Sequence, residues 1–332
     1  MTANEDRRIA SEHHEEIGRS PRVPKIPRVP RVVVIGSLNM DLVVEAERPP
    51  QMGETILGKQ IHFIPGGKGA NQAVAAARLG AHTTMIGAVG EDSFGQELVG
   101  ALAGEGIAEN TIKQVKGVAT GVASILLAQG DNSIIVVSGA NYQCLPEDID
   151  QHEELIAQAD IVLLQLEIPL ETVIYAVKVA KQHGRKVILN PAPAQPLPDS
   201  LLKQVDYLTP NVSELALLAG TADGRGLEQE MDWLLGKGVG AVITTLGAEG
   251  VAYKTTGSEF KRCPAHQVEV VDTTGAGDSF NAALACSLAE GKQLDEALEF
   301  AGKVAALAVT RLGAQAGMPT RHEVENGFES RG

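Results

Sequence analysis

The chain has 332 residues, with 28 Lys or Arg against 42 Asp or Glu, so its formal net charge is −14. This acidic balance argues against non-specific nucleic-acid binding, which needs a cationic surface facing the phosphates. No apolar run reaches the roughly 18 to 20 residues of a membrane span, and the length allows one or two domains with a large core.

The cysteines and the N-terminus bear on cellular location. Cys144, Cys263 and Cys286 are far apart and lack the spacing of metal ligands or of a disulfide framework. No basic segment followed by an apolar stretch marks a secretory signal. We therefore predict reduced cysteines that serve packing, and a cytoplasmic protein whose partners include neither nucleic acid nor membrane.

Residues 1–30 differ in composition from the rest of the chain. The first twenty are polar and of mixed charge, and prolines then recur at every third position, at Pro21, Pro24, Pro27 and Pro30. Such a segment cannot bury enough apolar surface to offset the entropy that ordering would cost. We predict a disordered extension over 1–30, with a polyproline-type docking segment as the alternative.

From residue 31 to about 325, strand-like and helical patterns alternate. Short apolar runs rich in β-branched residues are typical of strands buried on both faces. Such runs occur at 31–36, 161–165, 186–190, 207–211 and 241–245. Helical periodicity occurs at 71–79, 170–183, 213–219 and 228–235. The alternation predicts an α/β fold with α/β/α layers around a mostly parallel sheet, with ligands beyond the carboxyl ends of the strands.

Two stretches, 41–64 and 121–137, interrupt this alternation. The second contains two apolar runs separated by polar residues, which predicts a β-hairpin with its turn at 130–133. We predict that a small β-sheet, built from about 40–65 and 117–140, projects from the main domain and covers a site as a lid.

The strongest motif is Asp272-Thr-Thr-Gly-Ala-Gly-Asp278, between a strand-like run at 268–271 and a predicted helix at 281–290. Glycines at a strand-to-helix junction leave backbone amides pointing outward, and the helix N-terminus adds positive potential, which suits phosphate oxygens. The chemistry leaves two explanations for Asp278. It complements the helix dipole, or it accepts the proton of a hydroxyl that attacks a phosphoryl group.

Two further motifs carry groups suited to a sugar. The segment 65–72, Pro-Gly-Gly-Lys-Gly-Ala-Asn-Gln, lacks the spacing of a P-loop, but Lys68 and Asn71 offer donors to hydroxyl groups. Asn39 and Asp41 follow the first predicted strand and are either turn formers or ligands of a polyol. A glycine turn that starts a helix is the structural explanation for 65–72.

Weaker motifs follow later strands. Asn211 and Glu214 fit a helix capping box, and 245–250 fits a glycine-rich turn between strands. Of the eight histidines only His13 and His14 are neighbours, and no G-x-S-x-G segment occurs. These absences argue against histidine-based catalysis and against a hydrolase of the Ser-nucleophile type.

Together the motifs resemble those of the PfkB-type carbohydrate kinases over about residues 31–318. Segment 66–71 is similar to the family's N-terminal signature and 272–278 to its C-terminal signature, and 87–92 and 208–214 fit as well. Segments 165–169 and 308–314 are similar to the ribokinase branch of the family. The resemblance implies a ribokinase-like fold and the ATP-dependent phosphorylation of D-ribose at its 5-hydroxyl, which yields D-ribose 5-phosphate and ADP.

The resemblance also implies roles for individual residues. Asp278 would be the general base, and the backbone amides of Gly275, Ala276 and Gly277 would form the anion hole for the transferred phosphate. The residues that would hold the sugar are Asn39, Asp41, Gly67, Lys68, Asn71, Glu167 and Asp278. The residues that would contact the nucleotide are Asn211, Thr245, Gly247, Ala248, Glu249, Gly250 and Gly277.

Two cations are implied by the same resemblance. Glu214 matches the acidic residue associated with Mg²⁺. The residues matching the site of an activating monovalent cation, usually K⁺, are Asp272, Thr274, Ala308, Arg311, Gly313 and Gly317. Two positions depart from the family, because Gly317 stands where a serine often completes the cation site and Gly302 stands where Asn or His often borders the adenine.

Alternatives remain at this stage. A related kinase acting on deoxyribose, fructose or adenosine shares the same motifs, and a sugar-binding regulator without turnover is the alternative outside enzymes. An exposed lid edge also predicts a homodimer that forms through the lid.

Overall fold

The structure is a computed structural model that describes residues 28–129, 131–220 and 226–327. The predicted disordered extension therefore lies outside the described residues, except for residues 28–30. Of these, Pro30 is buried, and its carbonyl accepts a hydrogen bond from the amide of His82 (2.8 Å). Pro30 is thus attached to the packed domain.

The strands and helices of the described residues alternate along most of the chain. The strands are β1 (Arg31–Ile35), β2 (Asn39–Glu45), β3 (Gln60–Gly66), β4 (His82–Gly90), β5 (Ile112–Val115), β6 (Gly121–Ala128), β7 (Asp131–Val137), β8 (Ile161–Leu164), β9 (Lys186–Leu189), β10 (Tyr207–Leu208), β11 (Ala241–Thr245), β12 (Val251–Thr255) and β13 (Lys261–Cys263). The helices are α1 (Lys68–Arg78), α2 (Ser93–Gly104), α3 (Pro146–Gln151), α4 (Glu153–Gln158), α5 (Leu170–Gln182), α6 (Asp199–Leu202), α7 (Val212–Ala219), α8 (Leu227–Gly236), α9 (Ala276–Ala289), α10 (Leu294–Ala308), α11 (Ala314–Gly317) and α12 (Arg321–Gly327). Short 3₁₀ turns lie at Glu109–Thr111, Gly139–Gln143 and Gly247–Glu249.

The main sheet has the strand order β13-β12-β11-β10-β9-β8-β1-β4-β5. Strands from β11 to β5 in this order are parallel, and β12 and β13 add antiparallel pairs at one edge. In β1, Val32 and Val34 pack in a cluster with α1, α9 and α10, whereas Val33 and Ile35 pack in a second cluster with α5 and α8. Both faces are therefore covered, and the predicted three-layer fold is confirmed.

A second, smaller sheet has the order β3-β2-β6-β7. Its strands occupy the two stretches predicted to form it, about 40–65 and 117–140, although β2 begins and β3 ends one residue outside the first stretch. The predicted β6–β7 hairpin is present, but the predicted turn at 130–133 is wrong, because Ala128 pairs with Asp131 and 131–133 belong to β7. Two-residue hairpin turns need a positive φ at their first central position, and Gln129 has a φ of 56°. Gly130 lies outside the described residues.

Two details around the C-terminal motif also differ from the prediction. The run at 268–271 does not form a strand. Val268 and Val270 line a cavity instead, and Val270 and Val271 are more than half exposed. The amides of Val271 and Asp272 instead donate to the carbonyl of Val309. In addition, α9 begins at Ala276 rather than at 281, so the glycine-rich motif itself forms the first turn.

Among the described residues, no helix is both long and apolar enough to cross a membrane.

Close contact between α1 and the end of β1 positions the 65–72 motif. A Cβ added to Gly69 would lie 2.6 Å from the amide nitrogen of Ser37 and 2.7 Å from the carbonyl carbon of Gly36. Both of these are backbone atoms, which cannot yield as the end of a flexible side chain can. Only glycine therefore lets the first turn of α1 approach the strand this closely.

We expect Gly69→Ala to lower the free energy of unfolding by about 1–3 kcal/mol, the usual cost of overpacking. Gly100→Ala is the matched control, because Gly100 also lies inside a helix but an added Cβ meets no atom within 4 Å. The control should gain about 0.5–1 kcal/mol. Urea unfolding of both variants checks the pair, and equal effects would contradict the close-contact argument.

Candidate active site

The site is built where the first turns of α1 and α9 meet. Asn71 of α1 donates from Nδ2 to Oδ2 of Asp278 at 3.0 Å, and Gln72 donates from Nε2 to Oδ1 of the same carboxylate at 3.0 Å. Asp278 is only 8% exposed. Both oxygens of a buried carboxylate are thus held by side-chain amides from a helix about two hundred residues away in the sequence.

Glu167 ties the end of β8 to the same place. Its Oε2 atom accepts a hydrogen bond from Ser37 Oγ (2.5 Å) and a second one from the backbone amide of Lys68 (3.3 Å). Because Lys68 is the first residue of α1, the carboxylate lies at a helix N-terminus, where the dipole favours negative charge. The sequence reasoning did not identify Ser37.

A single lysine faces four carboxylates. Burial by itself lowers the pKa of Lys68, but attraction by Asp278, Glu167, Glu214 and Asp41 outweighs burial, so the pKa is raised overall. The ammonium is therefore firmly charged. For Asp278, burial raises the pKa, while Lys68 and the hydrogen bonds from Gln72 and Asn71 oppose that rise.

Asp41 reaches the site from the small sheet. Burial, followed by repulsion from Glu167 and Asp278, raises the pKa of Asp41 to about 7, although Lys68 acts in the opposite direction. The carboxyl packs over Gly66, where an added Cβ would lie 2.7 Å from Cγ of Asp41. Near neutral pH this group therefore stands between its neutral and charged forms.

Asn39 also lies on the small sheet and is 2% exposed. Its Oδ1 atom accepts a hydrogen bond from Asn141 Nδ2 (2.7 Å), and Asn141 in turn accepts from the amide of Leu38 (2.9 Å). Asn141 therefore orients Asn39, a role that the sequence reasoning missed. Gly67, with a φ of 90°, leaves no room for a side chain, because a Cβ would lie 2.6 Å from the amide nitrogen of Asn39.

The predicted anion hole lies at the N-terminus of α9. Gly275 caps the helix with a φ of 75°, and an added Cβ there would lie 3.0 Å from Ala314. The amide of Ala276 donates to the carbonyl of Thr273 at 3.2 Å, within the turn. At Gly277 an added Cβ would meet no atom within 4 Å, so the helix start is open on that side.

A mainly apolar cavity of about 340 Å³ opens beside α9. Of the predicted nucleotide contacts, the residues that line it are Thr245, Gly247, Ala248, Gly250 and Gly277. Glu249 does not line it and pairs with Arg262 (3.3 Å). Asn211 does not line it either. Gly302 and His266 both line the cavity, and an added Cβ at Gly302 would lie 3.8 Å from the imidazole ring.

Asn211 and Glu214 form the predicted capping box at the start of α7. Asn211 Oδ1 accepts from the amide of Glu214, and Glu214 Oε2 accepts from the amide of Asn211, both at 2.8 Å. Burial raises the pKa of Glu214. One carboxylate of this kind suits Mg²⁺, which is commonly held by one or two carboxylates together with substrate phosphates and water.

Oxygen atoms converge beside Gly317, at the predicted monovalent-cation site. An added Cβ at Gly317 would lie 2.8 Å from the carbonyl oxygen of Ala308 and 3.5 Å from that of Arg311. Asp272 accepts hydrogen bonds from Thr274 Oγ1 (2.7 Å) and from the amide of Gly313 (2.8 Å). Carbonyl and carboxylate oxygens are the ligands that a hard cation takes. The oxygen donors present are therefore of the chemical type that suits such an ion, although no cluster of three His, Cys, Asp or Glu side chains suited to a metal occurs in the described part of the chain.

Comparison with known proteins points to one family. The model of the pfkB family of carbohydrate kinases matches residues 29–321. Ribokinase of Bacillus subtilis (strain 168) is 46% identical over 294 residues, which cover 89% of this chain and 98% of that protein. The solved structure of Arabidopsis thaliana ribokinase complexed with ribose and ATP superposes with a TM-score of 0.84 at 40% identity, covering 90% of this chain and 98% of that one. A deoxyribokinase of Salmonella typhi is 37% identical over 87% of this chain and 95% of that protein.

The raised pKa of Asp41 leads to a pH-dependent expectation for stability. An unfolded carboxyl of this type titrates near 3.8 and the folded one near 7, so the native state binds more protons in between and stability falls as pH rises. Asp41→Asn has no carboxyl at this position, so its stability should not fall in this way as pH rises. Its melting temperature should equal that of the unsubstituted protein near pH 4 and exceed it increasingly up to about pH 7.

Glu323→Gln is the control of opposite sign. Arg311 and the amide of Thr320 lower the pKa of Glu323 to about 2. The charged Glu323 therefore stabilises the folded protein at pH values above the pKa of the unfolded chain, and this stabilisation is lost as pH falls towards 2. This variant should be less stable at neutral pH, and the difference should close as pH falls. Thermal melts between pH 2 and 8 test both variants, and parallel curves for Asp41→Asn and the unsubstituted protein would contradict a buried Asp41 carboxyl with a raised pKa.

Proposed function

The chain belongs to the pfkB family of carbohydrate kinases, and from this premise we propose that it phosphorylates D-ribose with ATP. In the reaction, the 5-hydroxyl oxygen forms a bond to the γ-phosphorus, the bond from that phosphorus to the bridging oxygen of ADP breaks, and the hydroxyl proton passes to the enzyme. The products are D-ribose 5-phosphate and ADP. The observation that carries the proposal is the buried carboxylate of Asp278 beside a glycine-rich helix start.

Asp278 is proposed as the general base. Each carboxylate oxygen has two lone-pair positions, and Asn71 and Gln72 use one on each oxygen. A lone pair therefore remains to accept the hydroxyl proton. The amides of Gly275 and Gly277 at the start of α9, and that of Ala276 once its hydrogen bond to the carbonyl of Thr273 is released, would stabilise the charge that develops on the transferred phosphoryl group.

The polar groups around this base suit a polyol. Carboxylates of Asp41 and Glu167 accept hydrogen bonds, and Lys68 and Asn71 donate them, which matches the hydroxyl groups of a sugar. Asn39 and the bare backbone at Gly67 complete the proposed sugar contacts. The small sheet would close over the bound sugar and exclude water, which suppresses hydrolysis of ATP.

The adenosine end of ATP is proposed to occupy the 340 Å³ cavity beside α9. Mg²⁺ would be associated with Glu214 and the phosphates, and K⁺ with the oxygens of Asp272, Ala308 and Arg311; when bound, these cations offset phosphate charge. Thr274, Gly313 and Gly317 belong to the same proposed site. Asn211 and Glu249 reach the nucleotide only if their present capping and ion-pair contacts change.

Phosphorylation of 2-deoxyribose is the second candidate activity, because a deoxyribokinase is 37% identical to this chain. We favour ribose on the higher identity, 46%, to a ribokinase. A cytoplasmic location and the absence of nucleic-acid and membrane partners remain predictions from composition.

The decisive assay is ADP release with ATP and Mg²⁺, using D-ribose or 2-deoxyribose, with and without K⁺. We expect ribose-dependent turnover that increases with K⁺.

Asp278→Asn should lower kcat by about 10²- to 10⁴-fold, the scale of general-base catalysis. Asp199→Asn makes the same change at an exposed helix start and should leave the rate unchanged. A retained rate in Asp278→Asn would refute the base, and preference for deoxyribose would select the second activity.

We also propose a homodimer formed through the small sheet. Strand β7 is an edge strand that is exposed along its whole length. Asp41 pairs with Ala123 and Ala123 pairs with Val136, so the side chains of Asp41 and Val136 lie on the same face of the sheet. Ile134 is two residues from Val136 in the strand and lies on that face too. Val136 is 47% exposed and Ile134 is 53% exposed. Packing of this face against a second copy would bury these side chains and cover the sugar site.

The double variant Ile134→Lys/Val136→Lys should therefore be monomeric in analytical ultracentrifugation and should have a raised KM for ribose. Ile135→Lys is the matched control, because Ile135 is 69% exposed but lies on the opposite face of the same strand. The control should remain dimeric. Dissociation by Ile135→Lys alone would assign the interface to the other face.

A further inference from the structure

A chain of buried side-chain amides leads to Asp278, the proposed base. Gln165, the residue after β8, donates from Nε2 to Oε1 of Gln72 at 2.6 Å. Gln72 then donates from Nε2 to Oδ1 of Asp278 (3.0 Å) and to Oδ1 of Asn190 (3.3 Å). Gln72 and Gln165 are both fully buried.

The polarity of this chain is set by the amide chemistry. An amide has donors only on nitrogen and acceptors only on oxygen. The charged carboxylate of Asp278 only accepts hydrogen bonds, so the nitrogen of Gln72 faces it. The oxygen of Gln72 is then left to accept the donor of Gln165, which holds the Gln72 amide in this orientation. In the reverse orientation, two nitrogens would face each other on one side and an amide oxygen would face a carboxylate on the other.

The side chain of Gln165 lowers the stability of the folded protein. Its Oε1 atom is buried without a hydrogen-bond partner among the described residues, which costs about 1–3 kcal/mol. The backbone also makes room for it, because a Cβ on Gly36 would overlap this oxygen. An apolar side chain would fill the space without that cost, so stability does not explain the glutamine.

We propose that Gln72 is a positioning residue that holds the Asp278 carboxylate for proton transfer, and that Gln165 orients the Gln72 amide. The proposal rests on the proposed function, in which Asp278 is the base. Gln72 acts through one oxygen of Asp278, while Asn71 holds the other oxygen. Loss of the Gln72 bond would let the carboxylate rotate about its side-chain bonds.

The bond also favours the charged form of Asp278, which is the form that accepts a proton. The other charged groups that act on this carboxylate are Lys68, which stabilises the charge, and Glu167, Asp41 and Glu214, which oppose it. Removing the donor while these groups remain should raise the pKa of Asp278. The acidic limb of the rate–pH profile should then move to higher pH.

The test compares Gln72→Met, Gln165→Met and the double variant with the unsubstituted enzyme. Gln72→Met removes a hydrogen bond to a charged group, and the free energy of such a bond corresponds to a loss of about 10- to 100-fold in kcat. The KM for ATP should be unchanged. Gln165→Met should give a smaller loss of the same kind, and it carries the test if Gln72→Met does not fold. The double variant should be no slower than Gln72→Met, because both residues act through one bond.

Thr111→Val is the control for the loss of a buried hydrogen bond away from the site. Thr111 is 4% exposed and donates to the carbonyl of Met85 at 2.5 Å. This variant should lose stability but keep kcat and the pH profile. A Gln72→Met enzyme with unchanged kcat and pH profile, alongside an inactive Asp278→Asn, would overturn the positioning role and leave the proposed function intact.

A second readout does not depend on turnover. Infrared difference spectra against Asp278→Asn follow the protonated carboxyl of Asp278 as pH changes. The proposal requires that this carboxyl titrate at higher pH in Gln72→Met than in the unsubstituted protein, even if ribose proves not to be the substrate. Identical titrations would overturn it. Absence of ribose-dependent turnover would instead count against the proposed function.

Discussion

The buried carboxylate of Asp278 is the constraint on which the rest of the site depends. A charge this deeply buried must be compensated by hydrogen bonds and an opposite charge, or it would be neutral. Asn71, Gln72 and Lys68 supply that compensation, and all three lie in the first turns of α1. The compensation therefore requires α1 and α9 to meet at the ends of β1 and β8, which places Glu167 in the same cluster.

The negative charge of the cluster explains why its side chains alone cannot offset the phosphate charge of ATP in the proposed reaction. One lysine faces four carboxylates, so the site is negative before the anionic nucleotide arrives. The N-terminus of α9 and bound cations can offset phosphate charge without a large basic surface. The acidic surface of the whole chain is therefore compatible with ATP binding. The crowding of carboxylates contributes to the raised pKa of Asp41 on the small sheet, and burial raises the pKa of Asp278 as well, against the opposing effect of Lys68, Gln72 and Asn71.

Sequence patterns predicted the parts of the fold that depend on local chemistry. The valines of β1 are covered on both faces as their unbroken apolar run indicates, and Asn211 and Glu214 form the capping box that their spacing predicts. The errors arose where tertiary contacts compete with local preference. In the strand-like run at 268–271, Val268 and Val270 line a cavity instead of pairing in a sheet, and the strand β7 extends through the polar residues whose composition predicts a turn.

Residue types and their spacing in the sequence determined the three-layer architecture, the glycine-rich phosphate motif and the choice of Asp278 and Asn71 as candidates, because these follow from periodicity and from the chemistry of individual side chains. Only the tertiary structure decided which groups orient them. Gln72 adjoins Asn71 in an ordinary helical sequence, and Gln165 and Asn141 belong to distant segments. Such contacts join residues far apart in the chain, so their geometry exists only after the sheet and its helices have packed.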